Sequence, residues 1–113
     1  MYEYRAKIVR LIDGDTVVAD VQLGFHVSLR TTFRLFGIDA PETRGVERPD
    51  GLAATEYLKR FISKLTDGSN ELTIRTQKDR TGKYGRYLAE LWVGDINLNE
   101  ALVAAGHAAI AHY

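Results

Sequence analysis

Apolar and polar residues alternate along the first third of the chain. In residues 16–23, Val17, Ala19, Val21 and Leu23 fall in one phase, which predicts a strand with one buried face. Residues 5–12 are β-branched and apolar. Residues 28–36 alternate again, with Leu29, Thr31, Phe33 and Leu35 in one phase and Arg30 and Arg34 in the other. Asp13-Gly14-Asp15 is a turn signal between the first two segments, and Gly24 marks the next turn. The period then changes. Ala54, Leu58, Phe61, Ile62 and Leu65 recur at helical spacing behind the start signals Pro49 and Asp50, and Asp67-Gly68 closes that helix. Residues 71–77 and 86–93 read as two more strands. A last helix starts at Asn97 with Glu100 at capping-box spacing, Leu98, Ala101, Leu102 and Ala105 on its buried side, and Gly106 as its stop.

The element order is therefore βββ-α-ββ-α, a mainly β chain with helices (α+β). Three strands at hairpin spacing, a helix and two more strands suit a five-stranded Greek-key barrel of the OB type with two or three helices; a split α+β sheet is the other arrangement with this order. The 113 residues make one domain, 1–113, with no room for a second core. Such barrels host nucleic-acid and oligosaccharide sites, but the fold alone assigns no function.

Composition removes several chemistries. The chain has no cysteine, so a thiol nucleophile, a disulfide framework and a cysteine zinc site are excluded. Fifteen basic residues balance fifteen acidic ones, so binding to nucleic acid has to come from local clustering rather than bulk charge. Residues 75–86 supply such a cluster: Arg75, Lys78, Arg80, Lys83 and Arg86 against Asp79 alone, a net +4, although such a run by itself is most often a solvated loop. No apolar run is long enough to span a membrane, and the N-terminal residues lack the apolar core of a signal peptide. The chain as it stands reads as soluble and cytoplasmic, and as secreted if a leader has been removed.

Two clusters carry candidate chemistry. Ile12-Asp13-Gly14-Asp15-Thr16 lies at a strand-turn-strand junction, and Arg34 through Thr43 runs from a strand into a loop. If those strand ends meet, Asp13, Asp15, Asp39 and Glu42 crowd together, an arrangement a bound cation would neutralise. All-oxygen ligands select a hard cation, with Ca²⁺ and Mg²⁺ equally suited by spacing. Taken alone, Asp13-Gly14-Asp15 is a hairpin turn and Pro41 a loop start. Arg34 is either a surface arginine or one half of a phosphate-binding pair with Arg86, since guanidinium forks match phosphate oxygens bidentately. One metal, two arginines and a glutamate form a consistent phosphodiester-cleaving set. His26 in a hairpin loop and His107 past a helix end have no metal-ligand spacing and read as structural or surface residues.

In these stretches the chain resembles the staphylococcal nuclease (thermonuclease) family. The match runs through residues 12–17, through Thr32-Phe33-Arg34-Leu35 to Ile38-Asp39-Ala40-Pro41-Glu42-Thr43, through Lys83-Tyr84-Gly85-Arg86 with Leu88-Ala89, and through residues 99–103 with Gly106. The order and spacing hold from about residue 5 to residue 112. The resemblance implies an OB barrel binding one Ca²⁺, with Asp15, Asp39 and the Ala40 carbonyl oxygen as ligands and Asp13 and Thr16 beside them. It implies that Glu42 acts on the attacking water and that Arg34 and Arg86 hold the phosphate. Lys83 and Tyr84 would contact a terminal phosphate of the substrate. The activity implied is hydrolysis of DNA and RNA to 3′-phosphate products with little sequence preference. Ala40 stands where threonine is typical, but only its main-chain oxygen would ligate. The loop 43–49 is shorter and poorer in lysine than in the staphylococcal protein. His112 falls where the family's base-stacking tyrosine would lie, with Tyr113 next to it as the substitute and Tyr84 and Tyr87 as other stacking candidates; Tyr87 also fits packing at a strand edge. The apolar tail 108–111 is expected to pack on the barrel or across a subunit interface, which would make an oligomer. Two other readings share the fold: a non-catalytic module binding nucleic acid or a partner, and a structural subunit of a mobile element. The five residues Asp15, Arg34, Asp39, Glu42 and Arg86 together favour catalysis.

Overall fold

A computed structural model describes residues 2–78 and 87–111. Five long strands form the body: β1 (Tyr2–Asp13), β2 (Thr16–Gly24), β3 (Val27–Leu35), β5 (Glu71–Lys78) and β6 (Tyr87–Val93). Short strands β4 (Ile38–Asp39), β7 (Ile96–Asn97) and β8 (Ala109–Ile110) are added around them. The pairing order is β3-β2-β1-β5-β6, antiparallel throughout, and a parallel pairing of β3 with β6 closes the ring. This is a closed five-stranded barrel with two helices, an OB-type α+β fold, and it leaves the split sheet aside. Closure removes the free edges that a five-stranded open sheet would expose.

The alternation read from the sequence is what fills the barrel. Val17, Ala19 and Val21 of β2 and Phe33 and Leu35 of β3 point inward, with Ile8, Ile74 and Leu91 from the neighbouring strands. Helix α1 (Arg48–Leu65) lies in the chain between β4 and β5, and packs against β1, burying Ala54, Leu58 and Ile62. Phe61 and Leu65, expected on the same face, are half-buried against that core. Helix α2 (Leu98–Ala104) is capped as its sequence predicts: the Asn97 side chain accepts from the Asn99 and Glu100 amides.

Three expectations need correction. Leu23 and Leu29 continue the inward phase of their strands but are 47% and 57% exposed, because the β2–β3 hairpin runs on beyond the stretch where β3 meets β6, residues 33–35. The third strand stops at Leu35 rather than Phe36, since Gly37 at φ +80° reverses the chain there. On α2, Ala105 is exposed and Ala101 half-buried; the buried positions are Leu98, Leu102 and, unexpectedly, the polar Asn99. No helix among the described residues is long and apolar enough to cross a membrane.

Candidate active site

The β1–β2 turn and the segment after β3 meet at one end of the barrel. Asp13 pairs with Thr16 across the turn, so Gly14 and Asp15 form its tip. Gly14 is buried, and a Cβ there would lie 2.9 Å from the Cβ atoms of both Ala40 and Ala54. That contact brings the turn, the loop after β4 and the first part of α1 together, and only glycine leaves room for it. The main chain of Asp15 is fixed next: its carbonyl accepts from the Leu35 amide at 2.7 Å. β3 then leaves through Phe36 and Gly37 into β4, which pairs with β8 from the C-terminal segment, and the Ala111 amide donates to the Gly37 carbonyl at 2.9 Å. In that segment Ala108 packs against the core and Ile110 is exposed.

The carboxylates of Asp13, Asp15 and Asp39 each have their own partner. Asp15 accepts the Ala40 amide on Oδ2 at 3.1 Å and the Thr16 hydroxyl on Oδ1 at 3.2 Å. Asp13 accepts both the hydroxyl (2.7 Å) and the amide (3.3 Å) of Thr43 on Oδ1. Asp39 is ion-paired with Arg34, whose side chain is only 22% exposed. Glu42 is exposed, and its amide donates to Oε2 of Glu47 at 3.1 Å. The expected crowding of four carboxylates does not form: among the described residues, no three acidic or histidine side chains converge on one point. Donors from the loop and from β3 separate them. Asp13 is turned to Thr43 and Asp39 to Arg34, which relieves the repulsion that clustering would create.

The donor set can still be tested against a cation. Asp15 is bonded to the amide of Ala40, and Asp39 precedes Ala40 in the chain, so two carboxylates and a main-chain carbonyl belong to one short stretch of structure. An ionised carboxylate has about four lone-pair sites, so one or two accepted hydrogen bonds leave capacity for a metal. Two carboxylates, a carbonyl oxygen and water make a hard, all-oxygen set, which fits a divalent cation such as Ca²⁺.

Arg86, Lys83 and Tyr84, and at the C-terminus His112 and Tyr113, lie outside the described residues. The basic cluster at 75–86 is also partly committed elsewhere. Arg75 pairs with Glu3 at 3.4 Å and lies over the Trp92 ring at 4.6 Å. Tyr87 is 44% exposed at the start of β6. Neither described histidine reaches the site: His26 occupies the β2–β3 turn, and His107 stacks on Tyr57 with ring centroids 4.7 Å apart.

Several residues that build the site have no role that their sequence position reveals. Thr43 anchors Asp13, and Glu47 holds the Glu42 amide. Asn99, 2% exposed, donates to the Phe36 and Ala89 carbonyls and accepts from the Leu91 amide, tying α2 and β6 to the corner that leads into β4. Gly51, buried in the first turn of α1, is the fourth, and a glycine inside a helical stretch is itself the signal of a close approach.

The fold and this end of the barrel define a class: small OB-type barrels that carry acidic side chains and an ion-paired arginine at the β1–β2 turn and the segment after β3. Comparison with known sequences narrows the class. The family model described as "Staphylococcal nuclease homologue" matches residues 32–113. A thermonuclease of Staphylococcus hyicus is 30% identical over 114 residues, covering 98% of this chain and 62% of that protein. A thermonuclease of Staphylococcus intermedius is 30% identical over 109 residues (94% and 59%), and endonuclease YncB of Bacillus subtilis is 31% identical over 107 residues (91% and 46%). The chain belongs to the staphylococcal nuclease homologue family. It spans less than two thirds of the length of each of these relatives.

Proposed function

We propose that the chain is a nuclease that hydrolyses phosphodiester bonds of DNA and RNA, with Ca²⁺ as its cofactor and 3′-phosphate products. The observation that carries this reading is the arrangement around Ala40: Asp15 bonded to its amide, Asp39 beside it, and Arg34 ion-paired to Asp39. Relatives named thermonuclease and endonuclease support it. Asp15, Asp39 and the Ala40 carbonyl oxygen hold the cation, which when bound supplies positive charge at the phosphate oxygens. Asp13 and Thr16 support that stretch from the turn. Arg34 and Arg86 bind the phosphate and the charge that develops on it, Arg34 exchanging its Asp39 partner in part for the substrate. Glu42 orients the attacking water and takes its proton as the oxygen bonds to phosphorus. The 5′ P–O bond then breaks and its leaving oxygen takes a proton from solvent, giving a 5′-hydroxyl and a 3′-phosphate. Lys83, Tyr84 and Tyr113 contact the rest of the substrate.

The test is denatured DNA incubated with the protein in millimolar calcium, beside a chelator tube and a Glu42→Gln tube. Cleavage to 3′-phosphate ends in the first tube, abolished by the chelator and reduced on the order of 10²-fold by the substitution, is expected. Binding of the oligonucleotide by folded protein without turnover would replace this reading with a non-catalytic OB module.

A further inference from the structure

The side chain assigned to water activation, Glu42, sits in a segment with no regular secondary structure, yet its main chain is tightly confined. A Cβ at Gly51 would lie 2.0 Å from the Glu42 carbonyl oxygen, 2.4 Å from its carbonyl carbon and 2.8 Å from the Thr43 nitrogen. Gly51 is in the first turns of α1 and is buried. Glycine is the poorest helix former after proline, and no positive φ requires it at this position, so its service is the room it leaves. From the 3-10 turn just before α1 (Gly45–Glu47), Glu47 Oε2 accepts the Glu42 amide at 3.1 Å, and Nη1 of Arg48, the first residue of α1, donates to the Thr43 carbonyl at 3.3 Å. The entry to α1 thus touches the Glu42–Thr43 main chain on its amide, its carbonyl and the peptide between.

We infer that Gly51 and Glu47 are positioning residues for Glu42, a two-point clamp by which the start of α1 sets where that carboxylate stands relative to Arg34 and Asp39. The inference rests on the nuclease reading of Glu42. A carbon–oxygen contact needs about 3.3 Å, so any side chain at Gly51 has to push the Glu42 main chain aside by roughly 1 Å, a displacement that costs on the order of 10²-fold in rate where geometry is demanding.

The experiment compares wild type with Gly51→Ala, Glu47→Ala and Glu47→Gln, with Val46→Ala (fully exposed in the same 3-10 turn) as control. Turnover of denatured DNA in millimolar calcium is measured together with hydrogen exchange at the Glu42 amide. Gly51→Ala is expected to lower kcat about 10²-fold with KM within about threefold, and to add less than about threefold in a Glu42→Gln background, because its effect runs through that side chain. Glu47→Ala speeds Glu42 amide exchange and lowers kcat, and Glu47→Gln, which keeps the acceptor oxygen, restores both. Losses that multiply in the double variant overturn the positioning role, as does a folded Gly51→Ala protein with wild-type kcat. If Gly51→Ala fails to fold, the Glu47 pair decides: exchange and kcat unchanged by Glu47→Ala overturn the clamp. A wild type that cleaves nothing overturns the nuclease reading in its own tube, and amide exchange then reports on the clamp alone.

Discussion

Replacing Asn99 by alanine removes three hydrogen bonds at once and tests how the barrel holds its functional end. The amide donates at 2.9 Å to the Phe36 carbonyl and at 3.0 Å to the Ala89 carbonyl, while its oxygen accepts the Leu91 amide at 3.1 Å. The Ala89 carbonyl keeps the Phe36 amide as a partner at 2.8 Å, so its loss is partial. Leu91 is fully buried, so no water replaces Asn99 on its amide. Three bonds at about 1 kcal/mol each, with a further penalty of about 1–2 kcal/mol for the stranded buried amide, give about 3–5 kcal/mol. For a chain of this size that is a fall in Tm of about 12–20 °C, read by circular dichroism. Asn99→Asp sharpens the test. It keeps the acceptor for Leu91 but sets a carboxylate against two carbonyl oxygens, so burial and those oxygens raise its folded pKa above the unfolded value. The folded state then holds its proton to higher pH than the unfolded state, and stability falls as pH rises from the unfolded pKa through the folded one. The Asp variant should therefore approach wild type at about pH 4 and fall well below it at about pH 7. An Asn99→Ala protein melting within about 3 °C of wild type would refute the reasoning, because even a single unpaired buried amide exceeds that shift.

Other outcomes follow from the same structure. Phe25 and His26 form the β2–β3 turn at φ +53° and +62°, a conformation costing about 1–2 kcal/mol for each residue that has a Cβ, so exchanging the pair for Asn-Gly should raise Tm by about 4–8 °C; a lower Tm would show that the turn side chains are held by contacts of their own. The Arg30 hydrogen bonds, at 2.8 and 3.1 Å, hold the Asp20 carboxyl below 3.8; loss of solvent opposes them as the next largest effect, and the Arg30 and then the Lys7 charges add to the lowering. Since the folded pKa is the lower one, this contribution is present above the unfolded value and disappears as pH falls through the folded value. Carboxyl NMR should show the Asp20 midpoint rising in Arg30→Gln, and an unmoved midpoint would remove Arg30 as the cause. Arg34→Lys keeps a charge near Asp39 but loses the planar fork, so turnover should drop on the order of 10²-fold, and a loss under about threefold would take Arg34 out of phosphate binding.

What the sequence disclosed follows the range over which each interaction acts. Strand phases, the Asn97 cap and the Asp67-Gly68 stop are local, and all are found where the pattern places them. The limits of that reading are also physical. Alternation says which side of a strand is apolar, not where neighbouring strands end, so Leu23 and Leu29 keep the inward phase yet lie outside the closed part of the barrel. Asn99 looks like an ordinary polar position in a helical first turn, because its partners at Phe36 and Ala89 are 63 and 10 residues away in the chain. The acids Asp13, Asp15, Asp39 and Glu42 were legible as a group through their motif, but their division among Thr43, Ala40, Arg34 and the loop was not, since that depends on which donors the folded loop presents.

That division shows how a stretch of irregular chain is fastened to the barrel. Residues 37–43 contain one two-residue strand and no helix, and irregular backbone of this kind is ordinarily among the least stable parts of a domain. Here successive main-chain groups are fixed from different parts of the barrel: Gly37 by Ala111, Ala40 by Asp15, Glu42 by Glu47, and Thr43 by Asp13 and Arg48. Two of those anchors are carboxylates from the β1–β2 turn, so acids that would repel one another as a bare cluster instead hold the loop by charge-assisted hydrogen bonds. Asp15 has lone pairs left after accepting from Ala40 and Thr16, so its fastening to the loop leaves capacity for the proposed cation. A cation arriving at Asp15, Asp39 and the Ala40 carbonyl would meet a loop already ordered by the fold, and little of its binding free energy would go into arranging the residues that surround it.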